Sequence, residues 1–423
     1  MDTLILEKSG PLAGVIEAGG SKNSSLPIMA ACLLTEEESV LEGVPQVTDV
    51  LTMADILRTL GVQVAWEGRQ LRIRPGHYAG WTAPYELVSR MRASICVLGP
   101  LLAKQGRATV SMPGGCVIGP RPIDLHLKGL ERLGARMVME HGYILAQAEQ
   151  LRGATVHVAG ACGSSVLATG NVMMAATLAE GDTSIQHAAC EPEVVDLADC
   201  LIAMGAKISG HGTPLIHIEG VTALHGARHT VISDRIETGT LMLATAILGG
   251  AVTIRGAQPA HLSAVMEKLI EAGVEVETRQ GGVHVRATQR LNAIDIATLP
   301  FPGFPTDLQA LAMVMMTLSR GVSVVTENIY PERFMHVPEL KRMGAQITRE
   351  GHSAIVKGAE RLSGAQVAAT DLRAAAALVL AGLAAEDRTE VRGIEHLDRG
   401  YEQLEQKLVS VGARMTRRRA ASA

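Results

Sequence analysis

The chain has 423 residues, 47% of them apolar and 19% charged, enough to build two or three cores and enough to exclude a mini-protein, a fibre or a disordered polymer. Its 39 basic and 43 acidic residues leave a net charge of −4, which excludes a global field for nucleic acid or an anionic membrane, so any anion site must be local. Aromatic residues make up only 2%, so packing falls to alanine, valine, leucine and methionine.

Cysteines stand at 32, 96, 116, 162, 190 and 200 without a CxxC pair, a pattern of reduced thiols rather than of a disulfide framework or a zinc site. The first residues, "MDTLILEKSG", lack a charged leader followed by an apolar core, and the longest apolar run, at 374–385, is too short to cross a bilayer. The sequence therefore reads as a soluble, cytoplasmic protein with no membrane insertion. Nothing in it fixes an oligomeric state.

In chain order, "LAGVIEAGGSKNSSLPIMAACLL" reads as a strand, a polar turn carrying Lys22 and Asn23, and an apolar helix. An amphipathic helix and a second strand follow, joined at Gly61 in "LRTLGVQV". The same join recurs in "LERLGARM", "LIAMGAKI", "LIEAGVEV", "LKRMGAQI" and "LVSVGARM". These glycines are 134, 205, 273, 344 and 412, giving steps of 73, 71, 68, 71 and 68 residues. Five near-equal steps between six copies predict a repeated supersecondary unit, each glycine supplying a left-handed stop between helix and strand. Apolar stripes such as Ile123, Leu127 and Leu130, or Leu404, Leu408 and Val411, predict helices buried along one face, whereas "GTLMLATAILGG" is apolar all round and predicts a helix buried between sheets. Six units divide as three and three, which predicts two α/β lobes: 1–21 with 232–423, and 22–231. Neither a GxGxxG fingerprint nor a Walker loop is present to favour a nucleotide-binding parallel sheet.

The turns carry the chemistry. Lys22 in "GGSKNSS", Arg92 in "MRASI", Arg121 in "GPRPID" and Arg399 in "LDRGYE" stand near small-residue turns or helix starts, where backbone N–H groups add to a cation in holding phosphate. Any one alone reads as a solvated surface cation; their shared placement in turns is what singles them out. Among the acids Asp49, Asp124, Glu191, Asp234, Asp307 and Asp371, the pair Thr306-Asp307 reads equally as a helix cap or as catalytic, and Asp124 has the same two readings. His126 and His336 have no partner at metal spacing and read as packed or surface histidines, and "MVMMT" reads as core filler. Cys116, in the Gly/Pro-rich "SMPGGCVIGPRP", is either an idle exposed thiol or a nucleophile or proton donor.

Together "GGSKNSSLP", "MRASI", "PGGCVIGPRPIDLH", "SDRIETGT", "FPTDLQA", "ERFMHVPEL", "ATDLRAAAALVLAG" and "DRGYE" resemble the UDP-N-acetylglucosamine 1-carboxyvinyltransferases of the enolpyruvyl transferase family, over about residues 5–415. The resemblance implies a two-lobed inside-out α/β barrel of six repeated units with the active site in the cleft between the lobes. It also implies transfer of the enolpyruvyl group of phosphoenolpyruvate to the 3-hydroxyl of UDP-N-acetylglucosamine, the first committed step of peptidoglycan precursor synthesis, without metal or organic cofactor. By motif, Cys116 would be the general acid and Asp307 the partner of the sugar hydroxyl. Lys22, Arg121 and Arg399 would hold the phosphate-bearing substrate, Lys22 and Arg399 standing with Cys116 and Asp307 as catalytic residues, with Asn23 beside them. Arg92, Arg121, Pro122, Ile123, Asp124, Leu125, Asp307 and Ile329 would contact the nucleotide sugar, and Arg333, Asp371 and Arg373 match further cleft positions. Two stretches depart from the family pattern: "VAGACGSSVLATGNVMM" lacks the usual lysine and is longer, and Cys190 replaces a common arginine beside Glu191. The alternatives are the shikimate-pathway enolpyruvyl transferase, a paralogue with altered nucleotide-sugar specificity, and a sugar-nucleotide-binding regulator without turnover.

If Cys116 has the family's role, the epoxide fosfomycin will alkylate it in preference to the five other thiols. Peptide mass mapping checks this, and a label on another cysteine would contradict it.

Overall fold

The computed structural model describes residues 2–114 and 123–419. The chain divides into two compact units, with the crossings between Gly19 and Gly20 and between Ile232 and Ser233. Each unit is built from three copies of one motif. In a copy, a strand leads into a buried helix, a parallel strand, an outer amphipathic helix and an antiparallel hairpin.

The buried helices are α1 (Lys22–Ala31), α2 (Leu98–Gln105) and α3 (Val166–Ala176) in one unit, and α4 (Arg235–Leu248), α5 (Gln309–Leu318) and α6 (Leu372–Ala384) in the other. In α5 every residue from Gln309 to Thr317 is buried, including the three methionines of "MVMMT", and in α6 every residue from Arg373 to Leu383. Such helices have no solvent face, so they pack on one another in the middle of their unit while the four-stranded sheets cover them. The outer helices differ. Ser263–Glu271 buries only Val265 and Leu269, four residues apart, and Leu404–Ser410 buries Leu404 and Leu408 at the same spacing. A separate apolar core fills each unit.

Three of the six repeats are not contiguous along the chain. Strand Leu12–Glu17 pairs in parallel with Gly250–Arg255, strand Arg228–Thr230 with Ser39–Glu42, and strand Thr3–Leu6 lies antiparallel between Thr389–Arg392 and Met415–Arg418. Each of these strands completes a four-stranded sheet whose other strands lie far away in sequence. No helix among the described residues is long and apolar enough to cross a membrane.

All six stop glycines adopt the left-handed conformation, with φ between 94° and 110°. Gly344 shows the reason most cleanly, because a Cβ placed there would meet nothing within 4 Å. Backbone conformation alone, and no neighbour, selects glycine there. Gly344→Ala is therefore expected to lower stability by about 1–2 kcal/mol in denaturant unfolding, with Gly344→Asn costing less; an alanine variant as stable as the wild type would contradict this.

Candidate active site

Cys116, Arg121 and Pro122 lie outside the described residues. The remaining candidates fall into two groups, one in each unit.

In the unit that spans Gly20 to Ile232, Lys22 and Asn23 are the first two residues of α1, whose N-cap Ser21 accepts from Ser24 N at 3.2 Å. The Lys22 ammonium lies 3.0 Å from Asp49 Oδ2, both side chains largely buried. A buried ammonium needs such a partner, which also aims it. Ser24, one turn into the helix, donates to the buried carboxylate of Asp196, which also meets His229 Nε2 at 2.8 Å and accepts from Ile232 N at 3.2 Å.

Arg92 opens a 3-10 turn, Arg92–Val97, directly before α2. Asn171 on α3, fully buried, ties that turn to the helix Asp124–Arg132: its amide donates to Ile95 O at 2.9 Å and meets His126 Nδ1 at 3.0 Å, while its carbonyl accepts from Gly99 N at 2.7 Å. Burial, reinforced by the charge of Arg92, drives the His126 imidazole down to about 3, so it is neutral and packed, as the packed reading of this histidine expects. Ile123 is buried, Leu125 is partly buried against the core, and Asp124 pairs with Lys128 one turn on at 3.1 Å. In the segment that departs from the family pattern, a short hairpin pairs Ala159–Gly160 with Gly163–Ser164, and Ser165 caps α3 by accepting from Ala168 N. The altered residues keep the helix start intact.

In the other unit the structure joins Asp307, Arg333 and Arg373. Asp307 does not cap α5, because its carboxylate is occupied elsewhere: Oδ1 lies 2.8 Å from Arg333 and Oδ2 2.7 Å from Arg373. Both arginines are almost fully buried, at 6% and 4% exposure. Burial alone would raise the Asp307 carboxyl, but the guanidinium groups of Arg373 and Arg333 outweigh it and hold the group well below the usual carboxylate range. Asp371 is the N-cap of α6, accepting from Arg373 N at 2.9 Å and Ala374 N at 3.0 Å, and so fixes the turn that carries Arg373. The Arg373 guanidinium also lies over the ring of Tyr401, 5.3 Å from its centroid. Asp234 plays the same capping part for α4. Arg399 ends the 3-10 turn Ile394–Arg399, whose preceding residue Asp398 grips Arg417 with both oxygens, at 2.9 and 2.6 Å. Ile329 N donates to the buried carboxylate of Glu327 at 2.9 Å. His336 is buried and neutral, pushed down to about 4 by burial.

Glu327, Tyr401 and Asn171 also hold these groups in place and are not singled out from sequence, whereas Thr306, read there with Asp307 as a cap or as catalytic, donates to Glu327 and accepts from Arg333. Only Glu327 carried a signal, as an acid directly after the alternating strand "VSVVT". Among the described residues no cluster of three or more His, Cys, Asp or Glu could hold a metal, and the five described cysteines are free.

Comparison with known proteins places this geometry. The family described as EPSP synthase (3-phosphoshikimate 1-carboxyvinyltransferase) matches residues 6–408. The chain is 52% identical over 417 residues to the UDP-N-acetylglucosamine 1-carboxyvinyltransferase of Methylacidiphilum infernorum (isolate V4), covering 99% of each chain. It is 51% identical over 414 residues to UDP-N-acetylglucosamine 1-carboxyvinyltransferase 1 of Caldanaerobacter subterraneus subsp. tengcongensis, covering 98% of this chain and 99% of that one. Among solved structures, the enolpyruvyl transferase NikO from Streptomyces tendae superposes with a TM-score of 0.88 at 24% identity, over 98% of this chain and 99% of that one. EPSP synthase from Acinetobacter baumannii gives 0.74 at 18%, over 99% and 100%. The protein belongs to the enolpyruvyl transferase family and has its α/β fold.

Asp307→Asn would leave two buried guanidinium groups facing one another without their anion, and is expected to cost about 3 kcal/mol of stability. Because the folded carboxyl is held below its unfolded value, the stabilisation is present above the unfolded pKa of about 3.9 and is lost as pH falls further. Denaturant unfolding should show a constant gap between wild type and variant from neutral pH to about 5, closing below about 4; a gap that widens on acidification would contradict the pairing.

Proposed function

We propose that the protein transfers the enolpyruvyl group of phosphoenolpyruvate to the 3-hydroxyl of UDP-N-acetylglucosamine with release of phosphate, the step that commits the sugar nucleotide to peptidoglycan. The observation that carries this is identity of about half over nearly the full chain to enzymes named for that reaction. The shikimate-type enzymes share the fold at 18% identity, which carries no substrate across.

The reaction adds the sugar hydroxyl across the enol double bond and then expels phosphate. Addition needs a proton delivered to the methylene carbon and one taken from the hydroxyl. Cys116 is assigned the delivery and Asp307 the acceptance. Asp307 is ionised and can accept a hydrogen bond from the sugar hydroxyl; its pairing with two arginines lowers its basicity, so it is assigned to take the proton as the new C–O bond forms and the hydroxyl becomes acidic. Lys22, Arg121 and Arg399, with Asn23, are assigned to the phosphate-bearing substrate. Lys22 at the first turn of α1 suits this, since the N-terminal amides there add positive potential to the ammonium. Arg92, residues Arg121 to Leu125 and Ile329 are assigned to the nucleotide sugar. The network through Asn171, which fixes the Arg92 turn against the helix starting at Asp124, supports treating those two segments as one recognition element. Arg333 and Arg373 orient Asp307, and Asp371 orients Arg373.

The purified protein should release phosphate from phosphoenolpyruvate with UDP-N-acetylglucosamine and none with shikimate 3-phosphate. Cys116→Ser should lower kcat by roughly 100-fold or more. No phosphate with the sugar nucleotide at high enzyme concentration would overturn the proposal.

A further inference from the structure

Glu327 follows the strand Val322–Thr326 and is fully buried. A carboxylate taken out of water is ordinarily matched by a cation. The four hydrogen-bond donors to Glu327 among the described residues are instead all neutral and come from three separate stretches of chain. Oε1 accepts from Thr298 Oγ1 at 2.7 Å, Ile329 N at 2.9 Å and Tyr330 N at 3.0 Å, and Oε2 accepts from Thr306 Oγ1 at 2.9 Å. Thr298 in turn accepts from Asn328 N at 2.9 Å, which closes the loop around the carboxylate.

Two of those donors lead to the candidate site. Thr306 precedes Asp307, and its hydroxyl, having given its proton to Glu327, turns a lone pair to Arg333, which donates to it at 3.0 Å. The same Arg333 nitrogen lies 2.8 Å from Asp307 Oδ1. Ile329, the second, has its backbone held directly. One buried carboxylate therefore sets the hydroxyl orientation that steadies the Arg333–Asp307 pair and the path of the segment 328–330.

We infer that Glu327 is a positioning residue for sugar-nucleotide binding and for the proton acceptor, working through Thr306 on Arg333 and Asp307 and through the backbone at Ile329. This rests on the assignment of Asp307 and Ile329 to the sugar nucleotide made above. A glutamine tests it with little change of shape. The two backbone N–H donors hold its carbonyl oxygen at the Oε1 position, so its NH2 replaces Oε2 and leaves the Thr306 hydroxyl proton without its acceptor.

Steady-state kinetics of wild type, Glu327→Gln, Thr306→Val, Thr306→Ser and the Glu327→Gln/Thr306→Val double variant give the readout. Glu327→Gln and Thr306→Val should each raise KM for UDP-N-acetylglucosamine by roughly 10–100-fold and lower kcat, leaving KM for phosphoenolpyruvate unchanged. Thr306→Ser, which keeps the hydroxyl, should restore wild-type behaviour, and the double variant should be little worse than either single one, because both break the same relay. A purely structural role would reduce the active fraction and lower kcat with both KM values unmoved, and that result, or additive effects in the double variant, would overturn the inference. Wild-type phosphate release is the control in every run: its absence would count against the transferase reading itself, whereas wild-type kinetics in Glu327→Gln and Thr306→Val would count against Glu327 alone.

Discussion

One carboxylate held between two buried guanidinium groups organises the second unit. Asp307, Arg333 and Arg373 come from the turn before α5, the segment after Val322–Thr326 and the first turn of α6, and no one of them is tolerable there without the others. The desolvation of two guanidinium groups is offset only if the carboxylate is in register with both, so the elements that carry them are located relative to one another. Further contacts serve that register: Asp371 caps the helix that presents Arg373, Tyr401 lies beneath the guanidinium, and Thr306 bridges Arg333 to Glu327. The result is a carboxylate kept ionised and oriented on both oxygens.

The first unit solves a similar problem with fewer charges. Lys22 is held by Asp49, and the start of α1 is anchored by Asp196 through Ser24. Around Arg92, a neutral amide takes the part that ion pairs take in the other unit, since Asn171 satisfies a carbonyl, a backbone N–H and an imidazole at once. A buried asparagine with such a set of partners fixes a geometry without adding another charge.

Much of the scaffold was legible in the sequence because it rests on local rules. The stop glycines needed only backbone strain, the apolar-all-round helices only their lack of a polar face, and both are visible in short windows. The strand pairings within each lobe were not legible, because a strand of three to six residues carries no mark of which distant strand it will pair with. The same limit explains the site. The capping reading of Asp307 drew on its neighbours, while its real partners lie 26 and 66 residues away, and the long-range ion pairs outcompete a local cap. Asp371, placed in the site by its motif, also proved to be the cap of α6, a local role that serves the same site.

The most direct test of enolpyruvyl transfer by addition and elimination is mass spectrometry of the sugar-nucleotide product formed from phosphoenolpyruvate in deuterated water. Addition turns the methylene carbon into a methyl group with one solvent-derived hydrogen, and elimination removes one of the three. The product should therefore be UDP-N-acetylglucosamine bearing an added three-carbon enolpyruvyl group, with deuterium on its methylene. A transferred group free of deuterium would contradict protonation of that carbon, and an unchanged sugar nucleotide would contradict the transfer.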